Sequence, residues 1–345
     1  MKMRNEGIKT SNDICKKMKN VSVIMCTYNG AKYLKEQLDS IINQTYPIYE
    51  LIIQDDCSTD GTVSILEEYA QKYSFIHYRI NEKNKGYNLN FFSAIALAKS
   101  DYIAISDQDD IWEKNKIELQ INSIGDAWLS SGFSKPFAND SSIKIYFNDK
   151  KPNCTLERMM YIGMTPGHTL LIKKELIDKI PDLNRWAQYY TYDKTLQMVA
   201  AAYEKVQFCD AILVHQRRHI TAATYGPAEN YKRNLGNIIN SVKRTCRLYK
   251  ELKPFMREYF RNTYQFISAI KADTKSKKNA TKMAYLQSQN GILAYFKLTW
   301  LCIKLQNRIF YSVENNKLFS TLRAIYFPIS CSDYFRYKSK CCTKK

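Results

Sequence analysis

The chain has 345 residues, 45% of them hydrophobic and 25% charged, a mixture too apolar for disorder and too even for a fibre. With only 11 Gly and 8 Pro it is neither collagen-like nor a Pro-rich low-complexity polymer. The net charge of +19 is lopsided: residues 1–210 carry 26 basic and 27 acidic side chains, residues 211–345 carry 26 and 6. A near-neutral body and a strongly basic tail meet different partners, the tail a polyanion or an anionic membrane surface.

The ten cysteines contain no CxxC pair, which argues against a zinc ribbon or a thioredoxin-like site. The first 20 residues are polar and lack the apolar core of a signal peptide. Together these point to free thiols in a reducing cytoplasm.

In chain order, 21–25 is a β-branched strand that stops at the turn Cys26-Thr27-Tyr28-Asn29-Gly30. Residues 31–43 then set Leu34, Leu38, Ile41 and Ile42 on one helical face. A strand at 51–53 runs into Asp55-Asp56-Cys57-Ser58-Thr59-Asp60-Gly61, and 62–73 returns to helix with Val63, Leu66 and Ala70 inward. A strand at 76–80, a helix at 88–98 and a strand at 102–106 ending on Asp107 follow. Further on, strands are expected at 169–172 and 211–215. This alternation predicts an α/β fold: a mostly parallel sheet with helices on both faces. Ligands of such sheets bind outside the carboxyl ends of the strands. Thr27, Asp55 with Asp56, and Asp107 with Asp109 should therefore converge on one crevice.

That crevice has no glycine-rich phosphate cradle, since neither GxG nor GxxxxGK[ST] occurs. Carboxylates repel phosphates unless a divalent cation lies between them. Asp107-Gln108-Asp109-Asp110 supplies the hard oxygen ligands that Mg²⁺ and Mn²⁺ prefer, although a solvated acidic loop would read the same way.

The run Val21-Ser22-Val23-Ile24-Met25-Cys26-Thr27-Tyr28-Asn29-Gly30 resembles the opening of the family 2 glycosyltransferases, which have the GT-A fold. So does Leu51-Ile52-Ile53-Gln54-Asp55-Asp56-Cys57-Ser58-Thr59-Asp60-Gly61-Thr62, and Ala104-Ile105-Ser106-Asp107-Gln108-Asp109-Asp110 looks like that family's DxD segment. The likeness covers about residues 20–220. Asn84-Lys85-Gly86 with Asn90-Phe91, and Gln216-Arg217-Arg218-His219, are similar to the rhamnosyl- and glucosyltransferase-like enzymes of bacterial surface polysaccharides.

The resemblance implies a nucleotide-sugar donor, most often a uridine diphosphate sugar, and assigns roles residue by residue. Thr27, Tyr28 and Asn29 would cradle the base, with the Tyr28 ring free to stack. Asp56 would accept the base imide N–H, and Asp55 would face the other side of the strand end. Asn84, Lys85 and Gly86 would touch the nucleotide. Asp107 would meet ribose or metal, and Asp109 would ligate Mg²⁺ or Mn²⁺, with Asp107 and His219 as further ligands. Arg217 would contact the diphosphate. In the family the general base is a carboxylate opening a later helix, and Asp193 ahead of Leu196, Val199, Ala200 and Tyr203 fits; as an N-cap it would sit in the same place. Gly167 and His168 would lie on the acceptor side, His168 either bonding a sugar hydroxyl or satisfied in the core.

The chain thus divides into a polar segment at 1–19, a GT-A domain at 20–224 and a basic helical extension at 225–345. Within the extension, 291–313 is interrupted by Lys297, Lys304 and Arg308, too charged for a membrane span. It reads as an amphipathic surface helix or as a core-packing one. The function implied is inverting transfer of a sugar to a saccharide, carried on a polyprenyl diphosphate, at the inner face of the plasma membrane. The partners are an anionic membrane surface and no nucleic acid. A sugar nucleotidyltransferase would need a Gly-rich loop at the first strand, which is absent. A non-catalytic basic membrane or nucleic-acid binder would have no use for the clustered carboxylates.

Overall fold

The computed structural model describes residues 19–163, 165–219, 235–310 and 317–335. Most of the N-terminal segment, the expected boundary at 224/225, and residues 311–313 of the 291–313 segment lie outside these.

Four strands, β1 (Val21–Thr27), β2 (Glu50–Asp55), β3 (Ile76–Ile80) and β4 (Tyr102–Ser106), alternate with α1 (Ala31–Ile42), α2 (Thr62–Lys72) and α3 (Tyr87–Ile95). Next come β5 (Ile111–Trp112), α4 (Lys116–Ser123), β6 (Leu129–Phe137), α5 (Leu156–Met159), β7 (Leu171–Lys173), α6 (Leu183–Trp186), α7 (Tyr192–Ala202) and β8 (Val206–Arg217). The eight strands form one sheet in the order β3-β2-β1-β4-β7-β6-β8-β5. The first four are parallel, as are β6 and β8; β7 runs antiparallel to both its neighbours, and β5 to β8.

The strand period of two explains the layering. Val21, Val23 and Met25 pack with the Leu34, Leu38 and Ile41 stripe of α1 on one face. Ile24, Ile52, Ile103 and Ile105 face the other way, onto Phe91, Phe92 and Ile95 of α3. Helix α1 starts at Gly30 without a side-chain cap of its own. Its first amides are satisfied by the turn between β2 and α2 instead, Gly30 N–H by Thr62 Oγ1 at 2.9 Å and Ala31 N–H by Asp60 Oδ2 at 3.1 Å.

Two elements differ from expectation. Strand β6 carries Ser130, Ser131 and Gly132, buried but not apolar, so no hydrophobic alternation announces it. Helix α7 begins one residue before Asp193 with Thr191 at the N-cap position, which leaves Asp193 in the first turn, where the helix dipole favours a carboxylate.

The tail consists of α8 (Leu235–Ala269), α9 (Lys275–Ser288), α10 (Ile292–Lys304), α11 (Gln306–Ile309) and α12 (Lys317–Ser330). It is not a separate body. Phe260, Phe266, Met283, Phe327 and Phe335 belong to the same buried cluster as Phe91, Tyr161, Trp186 and Tyr192. Buried Glu157 on α5 accepts from Ser276 Oγ (2.5 Å), Asn279 Nδ2 (2.9 Å) and Arg308 Nε (2.6 Å), fastening tail to sheet domain. A chain cut after Gly226 would uncover that face of α3, α5 and α7. It is expected to lose its cooperative thermal transition, as read by calorimetry.

Lys116 opens α4 yet is fully buried, with Gln120 Oε1 at 2.9 Å and the Trp112 ring centre 4.0 Å from its Nζ. Burial pushes its ammonium down to about 7. Unfolded lysine holds its proton to about pH 10.4. Between those values the unfolded state binds more protons, so stability rises with pH and falls as pH drops toward 7. Lys116→Met should raise the melting temperature at pH 6 and flatten the climb between pH 7 and 10 in urea titrations.

Candidate functional site

The carboxyl ends of β1, β2 and β4 meet as expected. Thr27 Oγ1 donates to Asp55 Oδ1 at 2.8 Å. The Gln108 side chain clamps Tyr28, accepting from its N–H at 2.8 Å and donating to its carbonyl at 3.1 Å. Gly30 permits this approach, because a Cβ there would overlap the Gln108 amide. Asn29 takes a left-handed φ of 48°, common for Asn, and its Oδ1 accepts from Thr59 N–H at 2.8 Å. The Tyr28 ring is half exposed at the rim.

Asp55 and Asp56 are both buried and face different partners. Asp55 accepts from Thr27, Ser58 N–H (2.8 Å) and Ser58 Oγ (2.6 Å), so it ties β1 to the β2 turn. Asp56 accepts from Asn81 Nδ2 (2.7 Å), Lys85 N–H (2.8 Å) and Gly86 N–H (2.8 Å), while Asn84 Nδ2 reaches its carbonyl at 3.1 Å. Three of its four lone-pair positions are thus engaged in shaping the loop after β3. Gly86 has φ of 76° there, the conformation glycine tolerates.

At the end of β4 three carboxylates crowd together, and each finds a hydrogen-bond partner from a distant element. Asp107 Oδ2 bonds His168 Nδ1 at 3.1 Å. Asp109 Oδ2 bonds His219 Nε2 at 2.9 Å. Asp110 Oδ1 accepts the Arg217 N–H at 2.9 Å, while its Oδ2 lies 3.1 Å from His168 Nδ1 but outside hydrogen-bond geometry. Burial raises the Asp110 carboxyl, with Asp107 and Asp109 adding to it and His168 opposing. Burial alone would lower His168, but Asp110 and Asp107 together outweigh it and raise it. Burial and Asp107 likewise raise Asp109.

Arg217 is buried, and its guanidinium bonds the Asp109 carbonyl (3.0 Å), Asn139 Oδ1 (2.9 Å) and Glu36 Oε2 (2.7 Å) between the rings of Tyr33 and Phe137. Three of its five N–H groups therefore hold protein, not an external phosphate. A cleft of about 290 Å³ beside it is lined by Lys32, Tyr33, Asn139, Arg218 and His219.

Among the described residues one group is close enough to share a cation, Asp107, Asp110 and His168, with ligand atoms within 4.8 Å of one another. His168 and Asp110 are almost completely buried, and Asp107 is the member of the group open to solvent. Asp109 and His219 face the crevice instead. Asp109 hydrogen-bonds His219 at 2.9 Å, and its carboxylate, with that of part-exposed Asp107, supplies the oxygen donors such an ion takes. The donor set therefore fits a hard divalent cation.

Across the crevice, His168 is held on both sides, by Asp107 and by Ser134 Oγ at 2.9 Å, and does not open to solvent. Gly167 lies against the Tyr192 hydroxyl, leaving no room for a Cβ. Tyr192 stacks on Phe91 with centroids 4.1 Å apart, and burial, then Asp107 and Asp193, raise its phenol. Asp193, one residue on, is half-buried and has no hydrogen-bond or ion-pair partner among the described residues. Asn88 sets this segment: its Nδ2 donates to the carbonyls of Ala187 (2.7 Å) and Tyr190 (3.0 Å), and its Oδ1 accepts from Tyr192 N–H (2.5 Å).

Thr27, Asp55, Asp56, Asn84, Lys85 and Gly86 come together at the β2 side, and Asp107, Asp109, His168, Arg217 and His219 at the β4 side. The roles of Gln108, Asn81 and Asn88 were not foreseen, since a lone Gln or Asn carries no such signal as the acidic run that contains Asp110.

The fold is that of the GT-A glycosyltransferases. S. aureus TarS 1–349 in complex with UDP superimposes with a TM-score of 0.53, at 16% identity over 92% of each chain. The family model described as glycosyl transferase family 2 matches residues 22–180. Residues 22–180 thus form a family 2 glycosyltransferase domain. RfbG of Shigella flexneri, named a dTDP-rhamnosyl transferase, is 37% identical over 158 residues, 44% of this chain and 55% of RfbG. An uncharacterized glycosyltransferase of Rickettsia typhi is 27% identical over 320 residues, 89% of this chain and 95% of that one. The chain spans only about half the length, or less, of its more identical relatives.

Removing Asn88 leaves two carbonyls and one N–H without their partner, a cost of about 1–3 kcal/mol for groups shielded from water. Asn88→Ala should speed hydrogen exchange in 187–196 and lower the melting temperature by several degrees. Asn88→Asp, which keeps the acceptor, should protect the Tyr192 amide better than Ala does.

Proposed function

We propose that this chain transfers a sugar, with inversion, from a UDP-sugar to a saccharide hydroxyl on a polyprenyl-diphosphate carrier, in the synthesis of a bacterial surface polysaccharide. The observation that carries the reading is the convergence of the ends of β1, β2, β4 and β8 on one crevice, with Asp109 paired to His219 and Asp193 without a partner among the described residues. The family 2 domain supports a nucleotide-sugar donor. TarS, which shares the fold, was crystallised with UDP and with UDP-GlcNAc. RfbG's name specifies a dTDP-sugar, whose base presents the same imide edge as uracil.

In this reading Thr27, Tyr28 and Asn29 form the base cradle, and Asp55 holds its floor. Asp56 meets the imide N–H with its remaining lone pair while the Lys85 and Gly86 amides fix it. The Lys85 side chain and Asn84 lie at the loop surface, toward the nucleotide. Asp109 and His219, with the free oxygen of Asp107, would hold Mg²⁺ or Mn²⁺. Such an ion supplies Lewis-acid neutralisation of charge on the departing diphosphate. Arg217 acts through Asp109, whose carbonyl it grips, and its two remaining N–H groups are available to the diphosphate. Gly167 lets Tyr192 close up against the backbone on the acceptor side, and His168 keeps Asp107 in place. Asp193 takes the proton of the attacking hydroxyl.

No helix among the described residues is long and apolar enough to cross a membrane. The proposed place of action is peripheral, on the inner face of the plasma membrane.

A donor panel read by thermal stabilisation identifies the nucleotide. Asp193→Asn should then lower transfer about 10²–10⁴-fold while donor affinity by calorimetry holds. Retained transfer, or a product with retained anomeric configuration, would show that Asp193 is not the base. Asp109→Asn should abolish the tightening of UDP binding by Mn²⁺, and wild type should be inactive in excess EDTA until metal is restored. Full activity in EDTA would overturn the metal-assisted mechanism.

A further inference from the structure

Helices α10 and α12 pack against each other, and each buries one side in the tail core: Leu298, Leu301 and Cys302 on α10, Ala324, Phe327 and Pro328 on α12. An ordinary surface helix would be polar on its other side. These are not. Ile292, Leu293, Phe296 and Trp300 on α10, with Leu322 and Ile325 on α12, are between 41% and 78% exposed. At 3.6 residues per turn the four α10 residues fall within an arc of about 100°, opposite the buried stripe. Apolar area on this scale, on adjacent helices of one chain, marks an interaction surface.

The charge around it selects the partner. Residues 292–310 and 317–330 contain Lys297, Lys304, Arg308, Lys317 and Arg323, and no Asp or Glu. Lys297 and Lys304 border the apolar arc of α10, and the Lys304 ammonium lies 5.2 Å from the Trp300 ring centre. A second copy would bring like charge against like charge. A leaflet of anionic lipid offers acyl chains to the aromatic and aliphatic side chains, and head groups to lysines whose stems can snorkel.

We infer that the outer faces of α10 and α12 form a docking surface for an anionic lipid bilayer. The inference deepens the proposed lipid-linked acceptor and rests on that reading only for the identity of what the membrane presents. Vesicle binding is measured without donor or acceptor, so docking and transfer can fail independently.

The test is co-sedimentation of the full chain with vesicles of phosphatidylglycerol and phosphatidylcholine, against phosphatidylcholine alone, at 50 mM and 1 M NaCl. Wild type should bind the anionic vesicles at least tenfold more tightly, weaken in salt and yet keep a residual fraction bound. Phe296→Ser/Trp300→Ser should lose the salt-resistant fraction. Lys297→Gln/Lys304→Gln should lose the salt-sensitive part. Because all four side chains lie outside the core or at its edge, the melting temperatures should stay near wild type, and Leu322→Ser/Ile325→Ser repeats the apolar test on the second helix. No sedimentation with anionic vesicles at low salt, or unchanged binding by both apolar double variants, overturns the inference. So does light scattering that finds a dimer abolished by Trp300→Ser with no lipid binding, which would give the face to a second copy.

Discussion

Like charges at the end of β4 are the constraint around which the site is built. Asp107, Asp109 and Asp110 lie within four residues, two of them with carboxyls pushed up by burial and by one another. Such a cluster is costly unless each member is paired and hydrogen-bonded. The pairing groups come from far along the chain: His168 from the turn before β7, Arg217 and His219 from the end of β8. This gives a physical reason for the strand order. Placing β7 beside β4, and β5 against β8, brings these partners to the carboxylates. Removing the Arg217 side chain would free the Asp109 carbonyl, Asn139 and Glu36 together.

A second economy of construction lies in the loop after β3. Asp56 holds the amides of Lys85 and Gly86, and two residues later Asn88 holds the carbonyls and amide that precede Asp193. The side of the crevice assigned to the donor and the side assigned to the acceptor are thus joined through residues 85–88. A shift of that loop moves both. Tyr192 extends the linkage, since its ring stacks on Phe91 of α3 while its hydroxyl meets Gly167.

Much of this was legible in the residues and some was not, for identifiable reasons. The β1 to β4 half announced itself through β-branched runs and 3.6-residue stripes, because both faces of that sheet are buried by apolar side chains. Strand β6 was invisible because its buried residues are serines and a glycine, whose burial depends on neighbours such as Thr169 and Leu213. The acidic positions were legible as a cluster, but which partner each would take was not. Asp55 and Asp56 read as facing opposite sides of the strand end, but that Ser58 would hold one and the 81–86 loop the other was not in the local pattern. Arg217 read as a phosphate contact, and the acceptors around it, Glu36 and Asn139, stand far away in sequence. Local pattern identifies which residues are polar at a strand end; tertiary packing decides what they touch.

The tail shows the same limit in a sharper form. Its charge suggests an appendage, whereas its inner residues complete the core begun by α3, α5 and α7. Buried Glu157 makes the attachment specific, because a carboxylate without access to water requires Ser276, Asn279 and Arg308 together. The outer faces of α10 and α12 are consequently not carried on a flexible arm. They connect through α9 to α5 and α7, and α7 holds Asp193. A bilayer seated on those faces would stand at a set orientation to the crevice. An acceptor anchored in that bilayer would then lose much of its translational freedom before reaching Asp193. The advantage is entropic and arises from rigidity, which a shared core provides and a tethered tail could not.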